Sequence, residues 1–155
     1  MKKAILLVVA LFMTSALFAQ EMSQEAKNYR AAVKTFLTSE GYSPYIDDDD
    51  ESLCFKKEGT LYWIFFESQS PVYVEFHGEG FNGDGVDRNA ALKAVNELNR
   101  TKRCVKGMVT TKGGISLSIE FFSSSPDQFK KTFNSNLNAL VGAKETVKDK
   151  YQEYK

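Results

Sequence analysis

Thr60-Leu61-Tyr62-Trp63-Ile64-Phe65-Phe66-Glu67 is followed by Ser68-Gln69-Ser70-Pro71 and then Val72-Tyr73-Val74-Glu75-Phe76-His77. Aromatic and branched side chains fill the two outer runs, and turn-forming residues fill the gap between them. Runs of this kind read as β-strands. A third run, Ser52–Lys57, lies just upstream, across Lys56-Lys57-Glu58-Gly59. Connections this short join antiparallel neighbours, so the three runs form a meander. Side chains alternate between the two faces of a strand. The reading puts Leu53, Phe55, Leu61, Trp63, Phe65, Val72, Val74 and Phe76 on a face packed under helices. The opposite face then holds Tyr62, Ile64, Phe66 and Tyr73, together with Met108. A sheet face open to water normally alternates with polar residues, and the second run does not.

Helical patterns flank the meander. Residues 23–40 place Ala26, Tyr29, Val33, Phe36 and Leu37 on one stripe, with Ser23 as N-cap and Gly41 ending the helix. Ser43-Pro44 and the acidic run Asp47–Glu51 make a loop. After His77, Gly78–Gly85 reads as a glycine-rich loop. Asp87 then caps a helix to about Asn99, with Ala91, Val95 and Leu98 on one face. Arg100, Lys102 and Arg103 gather at its C-terminal end, where the helix dipole favours cations. Arg103–Thr110 and Ile115–Phe122 read as two more strands joined around Lys112-Gly113-Gly114. Ser125-Pro126-Asp127-Gln128 opens a last helix, with a capping box and proline at its first position. Phe129, Phe133, Leu137, Leu140, Val147 and Tyr151 form its apolar face. The expected architecture is α+β, in the order α-β-β-β-α-β-β-α. It is a two-layer sandwich in which a five-stranded antiparallel sheet carries helices on one face.

The 155 residues suit one domain, and 20 aromatics in a chain that is 43% apolar argue against disorder. Twenty basic and 20 acidic side chains balance, which leaves no field to attract nucleic acid. One His and two Cys cannot complete an ordinary zinc site without carboxylates. Lys2 and Lys3 precede an apolar run, Ala4–Met13, and then Thr14-Ser15-Ala16-Leu17-Phe18-Ala19. That pattern reads as a secretory signal peptide, too short to span a bilayer. The expected division is a removed segment, residues 1–19, and one domain, residues 20–155; cleavage after Ala16 is the alternative. The mature protein is then exported, periplasmic or extracellular, and not inserted in the membrane. Cys54 and Cys104 could bridge in such a compartment, or remain buried thiols.

The element order resembles the type III secretion chaperone-like fold. Ala91-Leu92-Lys93-Ala94-Val95-Asn96-Glu97-Leu98-Asn99 resembles the middle helix of YbjN-type proteins, in which such a helix leads into a strand hairpin. The resemblance covers about Ser23 to Tyr154. It implies a small protein-binding domain, dimeric in the chaperones, that performs no chemistry. The signal peptide departs from both groups.

Four motifs carry alternative readings. Gly78-Glu79-Gly80-Phe81-Asn82-Gly83 matches the dinucleotide pattern G-x-G-x-x-G, but it ends before the helix whose N–H groups would hold a pyrophosphate. Asn82-Gly83-Asp84-Gly85 resembles the centre of a calcium loop that lacks carboxylates at its first and last ligand positions. Asp47–Glu51 is a second calcium candidate, or a solvated loop. His77 could serve a nucleophile, although no G-x-S-x-G sequence accompanies it. No catalytic, cofactor or metal residue is assigned and no cofactor is expected. The expected function is a non-enzymatic, exported module that binds a protein partner or itself through Tyr62, Ile64, Phe66 and Tyr73. A hydrolase using carboxylates such as Glu79 and Asp84, and a calcium-stabilised structural protein, are the alternatives.

Overall fold

The computed structural model describes residues 22–81, 83 and 85–155. The signal peptide expected at residues 1–19, and Asn82 and Asp84 of the calcium-like motif, lie outside the described residues. The chain forms α1 (Gln24–Ser39), β1 (Tyr45–Ile46), β2 (Leu53–Lys57), β3 (Thr60–Glu67), β4 (Val72–Phe81), α2 (Arg88–Thr101), β5 (Lys106–Val109), β6 (Ile115–Ser123) and α3 (Pro126–Tyr154). The α+β architecture is as expected. The sheet has six antiparallel strands rather than five, in the order β1-β2-β3-β4-β6-β5. The additional strand is the two-residue β1, which pairs Tyr45 with Cys54 and Ile46 with Leu53. Two residues flanked by a proline and an acidic run are too few to show a period.

Capping chemistry sets the helix ends. The Ser23 hydroxyl accepts from the Ala26 N–H at 3.2 Å. The Asp87 carboxylate accepts from Asn89 and Ala90 N–H at 2.8 and 3.1 Å. The Ser125 hydroxyl receives the Gln128 N–H. Each bond satisfies an amide that the first helical turn would leave without a partner. Gly41 leaves α1 with φ +88°. Gly142 does not interrupt α3, which runs 29 residues and buries Phe129, Phe133, Leu137, Leu140, Ala143, Val147 and Tyr151 along one stripe.

All three helices of the described residues pack on one face of the sheet. α1 lies against β3 and α3, α3 crosses β4 and β6, and α2 covers β5 and packs on α3. An aromatic cluster fills the centre of the interface. Phe55 stacks on Tyr62 with centroids 5.4 Å apart, and Phe76 stacks on Phe133 at 5.8 Å. Burying a side chain of this size contributes roughly 1.5–3 kcal/mol. Tyr29 carries its hydroxyl into this layer and donates to Ser123 Oγ at 2.6 Å.

The glycine-rich segment differs from the expected loop. β4 continues through Gly78, Glu79 and Gly80 to Phe81 and pairs with β6 there, with a register shift between Glu79 and Phe81. The glycines serve close packing. A Cβ on Gly78 would lie 3.1 Å from the Tyr62 ring, and one on Gly80 would lie 2.9 Å from Ile115 Cγ2 and from its carbonyl oxygen. Glycine within a strand commonly marks such an approach, so this part of G-x-G-x-x-G is strand and not a phosphate-binding turn.

The motif of α2 acquires a structural role. Asn99 accepts the Gly107 N–H at 2.7 Å and donates to the Gly107 carbonyl at 3.1 Å. Its amide thus occupies the free edge of β5 as a neighbouring strand would. Gly107 is glycine because a Cβ there would lie 2.9 Å from Leu98 Cδ2.

Candidate functional site

The face assigned to β3 requires correction. Tyr62, Ile64 and Phe66 are buried beneath the helices, and of the four expected partner-binding residues only Tyr73 lies on the open face. The alternate residues, Leu61, Trp63 and Phe65, turn outward and are partly exposed. Register explains the exchange. Ile64 stands opposite Phe76, and Phe66 opposite Val74, so β3 shares its inward set with the valines and phenylalanine of β4. A strand apolar on both sides carries no alternation to orient it, and a shift of one residue moves every side chain to the other face.

One signal for the correct register was present. Glu58 and Gly59 form a two-residue turn with φ of +51° and +78°. Both values suit the turn that joins twisted strands in a tight hairpin. Counting outward from it pairs Lys57 with Thr60, Phe55 with Tyr62 and Leu53 with Ile64. Directly opposed residues share a face. Phe55 inward therefore forces Tyr62 and Ile64 inward.

The open face is built in cross-strand rows. Trp63 stands opposite His77, and His77 opposite Ser118. Ser118 in turn stands opposite Lys106. The Trp63 and His77 rings stack at 5.9 Å and 12°, and Phe65 meets the His77 ring edge-on at 5.3 Å. His77 Nε2 lies 2.9 Å from Glu75 Oε2. Tyr73 packs on Phe122 at 5.2 Å. Met108 and Phe122 are 57% and 56% exposed, the largest exposures of large hydrophobic side chains among the described residues. A depression of about 450 Å³ has Trp63, Phe65, Glu75, His77 and Met108 among its walls.

Glu120 organises the polar part of this face. It receives Lys106 Nζ at 2.6 Å, the Tyr73 hydroxyl at 3.0 Å and the Ser118 hydroxyl at 3.0 Å. The Lys106 hydrogen bond holds the Glu120 carboxyl below its ordinary range, against the opposing effect of desolvation. Desolvation, and then the hydrogen bond to Glu120, push the Tyr73 phenol up to about 12. Ser118, His77 and Glu75 neighbour one another, but the Ser118 hydroxyl is directed to Glu120. A relay from nucleophile to imidazole would need that hydroxyl on the ring.

The other candidates are dispersed. Asp47 and Asp50 bond the amides of Asp49 and Ser52 and shape the acidic turn. Glu79 is exposed on β4. Among the described residues no group of three or more His, Cys, Asp or Glu side chains could hold a metal ion. None of their helices is long and apolar enough to cross a membrane. Cys54 is buried on β2 and Cys104 is exposed just before β5, both as free thiols. Three strands separate β2 from β5. At about 4.8 Å per strand that distance exceeds the reach of a disulfide.

A second concavity, of about 480 Å³, lies where β5 leaves β6. Its walls include Arg103, Val105 and Lys106 on one side and Gln128, Thr132 and Asn136 of α3 on the other, with the end of β6 as its floor.

No curated protein and no solved structure matches this chain. The model of the YbjN family, described as "Putative bacterial sensory transduction regulator", matches residues 29–136. That span runs from α1 through the whole sheet into α3, well over half of the chain, and it includes the helix from Ala91 to Asn99. The chain therefore belongs to the YbjN family.

Proposed function

We propose that this chain is an exported, non-enzymatic module that binds a protein through the open face of its sheet, in a chaperone-like or regulatory role. The observation that carries this reading is the set Leu61, Trp63, Phe65, Tyr73, Met108 and Phe122, which the three helices leave uncovered. Large exposed apolar patches mark interaction surfaces. Trp, Tyr, Phe and Met are enriched at such surfaces. Polar groups run through this set, with Glu75 and His77 on the central strand β4 beside Phe65 and Trp63, and Lys106 on the outer strand β5. Export follows from the reading of residues 1–19, and a regulatory role is compatible with the family description.

A photo-reactive amino acid placed at Met108 in the full-length protein tests the reading. The expected result is a discrete protein adduct in the exported fraction, abolished by Phe122→Asp, with a mature N-terminus at Gln20. An uncleaved cytoplasmic product would overturn export. A chain that forms no adduct and remains monomeric by light scattering would overturn the binding surface.

A further inference from the structure

The floor of the second groove is an unfinished sheet edge. β5 pairs with β6 only from Val109↔Ile115 to Lys106↔Ser118, whereas β6 continues to Ser123. Antiparallel strands alternate between residues that bond one neighbour and residues that bond the other. Gly107 directs its N–H and carbonyl away from β6, to Asn99, so Gly107 and Leu117 are a non-hydrogen-bonded pair. Thr110 donates to Gly114 at 2.8 Å, which fixes the same phase. Ser116 and Ser118 therefore bond β5. The next residues in that phase, Glu120 and Phe122, direct their N–H and carbonyl groups into the groove. No described strand runs beside them. The contrast with β5 is informative: its own free edge is occupied by Asn99, while this edge is left open.

The groove is also unbalanced in charge. Lys106 and Glu120 neutralise each other at 2.6 Å. Arg103 lines the groove, exposed and in no ion pair with an acid among the described residues. We infer that the groove takes a short, extended, acidic segment of a partner protein as an added strand on β6. Backbone groups at Glu120 and Phe122 would hold the segment, and Arg103 would select its charge. Strand addition of this kind takes its affinity from main-chain hydrogen bonds. The site goes beyond the open face proposed above: it uses backbone groups at the edge of the sheet, and it meets that face at Lys106, Glu120 and Phe122.

Amide hydrogen exchange of the full chain, followed by NMR, tests the inference. In the free protein the Glu120 and Phe122 amides should exchange at least tenfold faster than those of Ser116 and Ser118. The probe is a capped heptapeptide of alternating valine and glutamate. It should bind saturably and slow exchange at Glu120 and Phe122 at least tenfold. Arg103→Glu should weaken binding at least fivefold, whereas Met108→Asp, on the open face, should not. Three results would overturn the inference: unchanged exchange at both amides, equal binding of a valine–lysine peptide, or equal binding of a peptide N-methylated at every residue. Protection that appears without peptide, and rises with protein concentration alongside a dimer mass, would also overturn it by assigning the edge to a second copy.

Discussion

Ile64→Ala and Phe65→Ala, made separately, provide a direct test of the β3 register. Ile64 is fully buried between the sheet and the helices, opposite Leu53 and Phe76. Alanine removes Cγ1, Cγ2 and Cδ1. At about 0.8 kcal/mol per buried carbon the transfer loss is roughly 2.4 kcal/mol. The residual cavity adds to this, and Ile→Ala substitutions in cores cost about 2–5 kcal/mol. We expect about 3 kcal/mol. Phe65 is partly exposed on the open face and keeps an edge-on contact with His77 at 5.3 Å. Losing such a contact costs about 0.5–1.5 kcal/mol. Urea unfolding monitored by the single tryptophan, Trp63, measures both. With a slope of about 2 kcal/mol per molar, the Ile64→Ala midpoint should fall by about 1.5 M. Phe65→Ala should move it by about 0.5 M. If the two losses came out reversed, β3 would present its other face to the helices. The assignment of the open surface would then fail with it.

Further outcomes follow from packing, titration and thiol exposure. Gly80→Ala should destabilise by about 1–3 kcal/mol, because its Cβ meets Ile115 at 2.9 Å. Gly142→Ala, with nothing within 4 Å, should stabilise α3 by about 0.5–1 kcal/mol; thermal unfolding reads both. The carboxyl of Glu120 is held below its ordinary value by Lys106, so its contribution to stability is present above about pH 4.5 and lost as pH falls through the lowered value. Lys106→Ala should move that carboxyl titration upward in pH, as followed by carbon-13 NMR. A thiol reagent should modify Cys104 in the native protein and Cys54 only after unfolding. Protection of both thiols until reduction would show a bridge that this fold forbids.

The local chemistry of the chain determined most of the elements. Ser23, Asp87 and Ser125 marked the three helix starts because an N-cap is a contact between near neighbours. The apolar stripes of α1, α2 and α3 named most of the buried residues of those helices because a helix presents a fixed 3.6-residue period, while Ala90, Ala94 and Ala143 are buried without having been named and Phe36 is only partly buried. Ile115, Leu117 and Ile119 alternate with polar residues, and β6 buries that set. β3 lacked such contrast, and β1 was too short to show any. The glycines at positions 78 and 80 offered turn chemistry and packing room equally well.

Tertiary structure decided the rest, because each remaining question concerned a partner far along the chain. Val74 opposite Phe66 chose which side of β3 became core. That choice moved the candidate surface from Tyr62, Ile64 and Phe66 to Leu61, Trp63 and Phe65, and left Tyr73 and Met108 in place. Tyr62 and Ile115 explain the glycines, each supplying the atoms that a Cβ would strike. The open end of β6 depends on where β5 stops beside it, and no pattern within either strand encodes that length. Sequence by itself therefore determined the helices and the existence of five of the six strands, which arise from neighbours within a few residues. The face of the sheet that meets water, and the edge left without a partner, were decided only when distant segments paired.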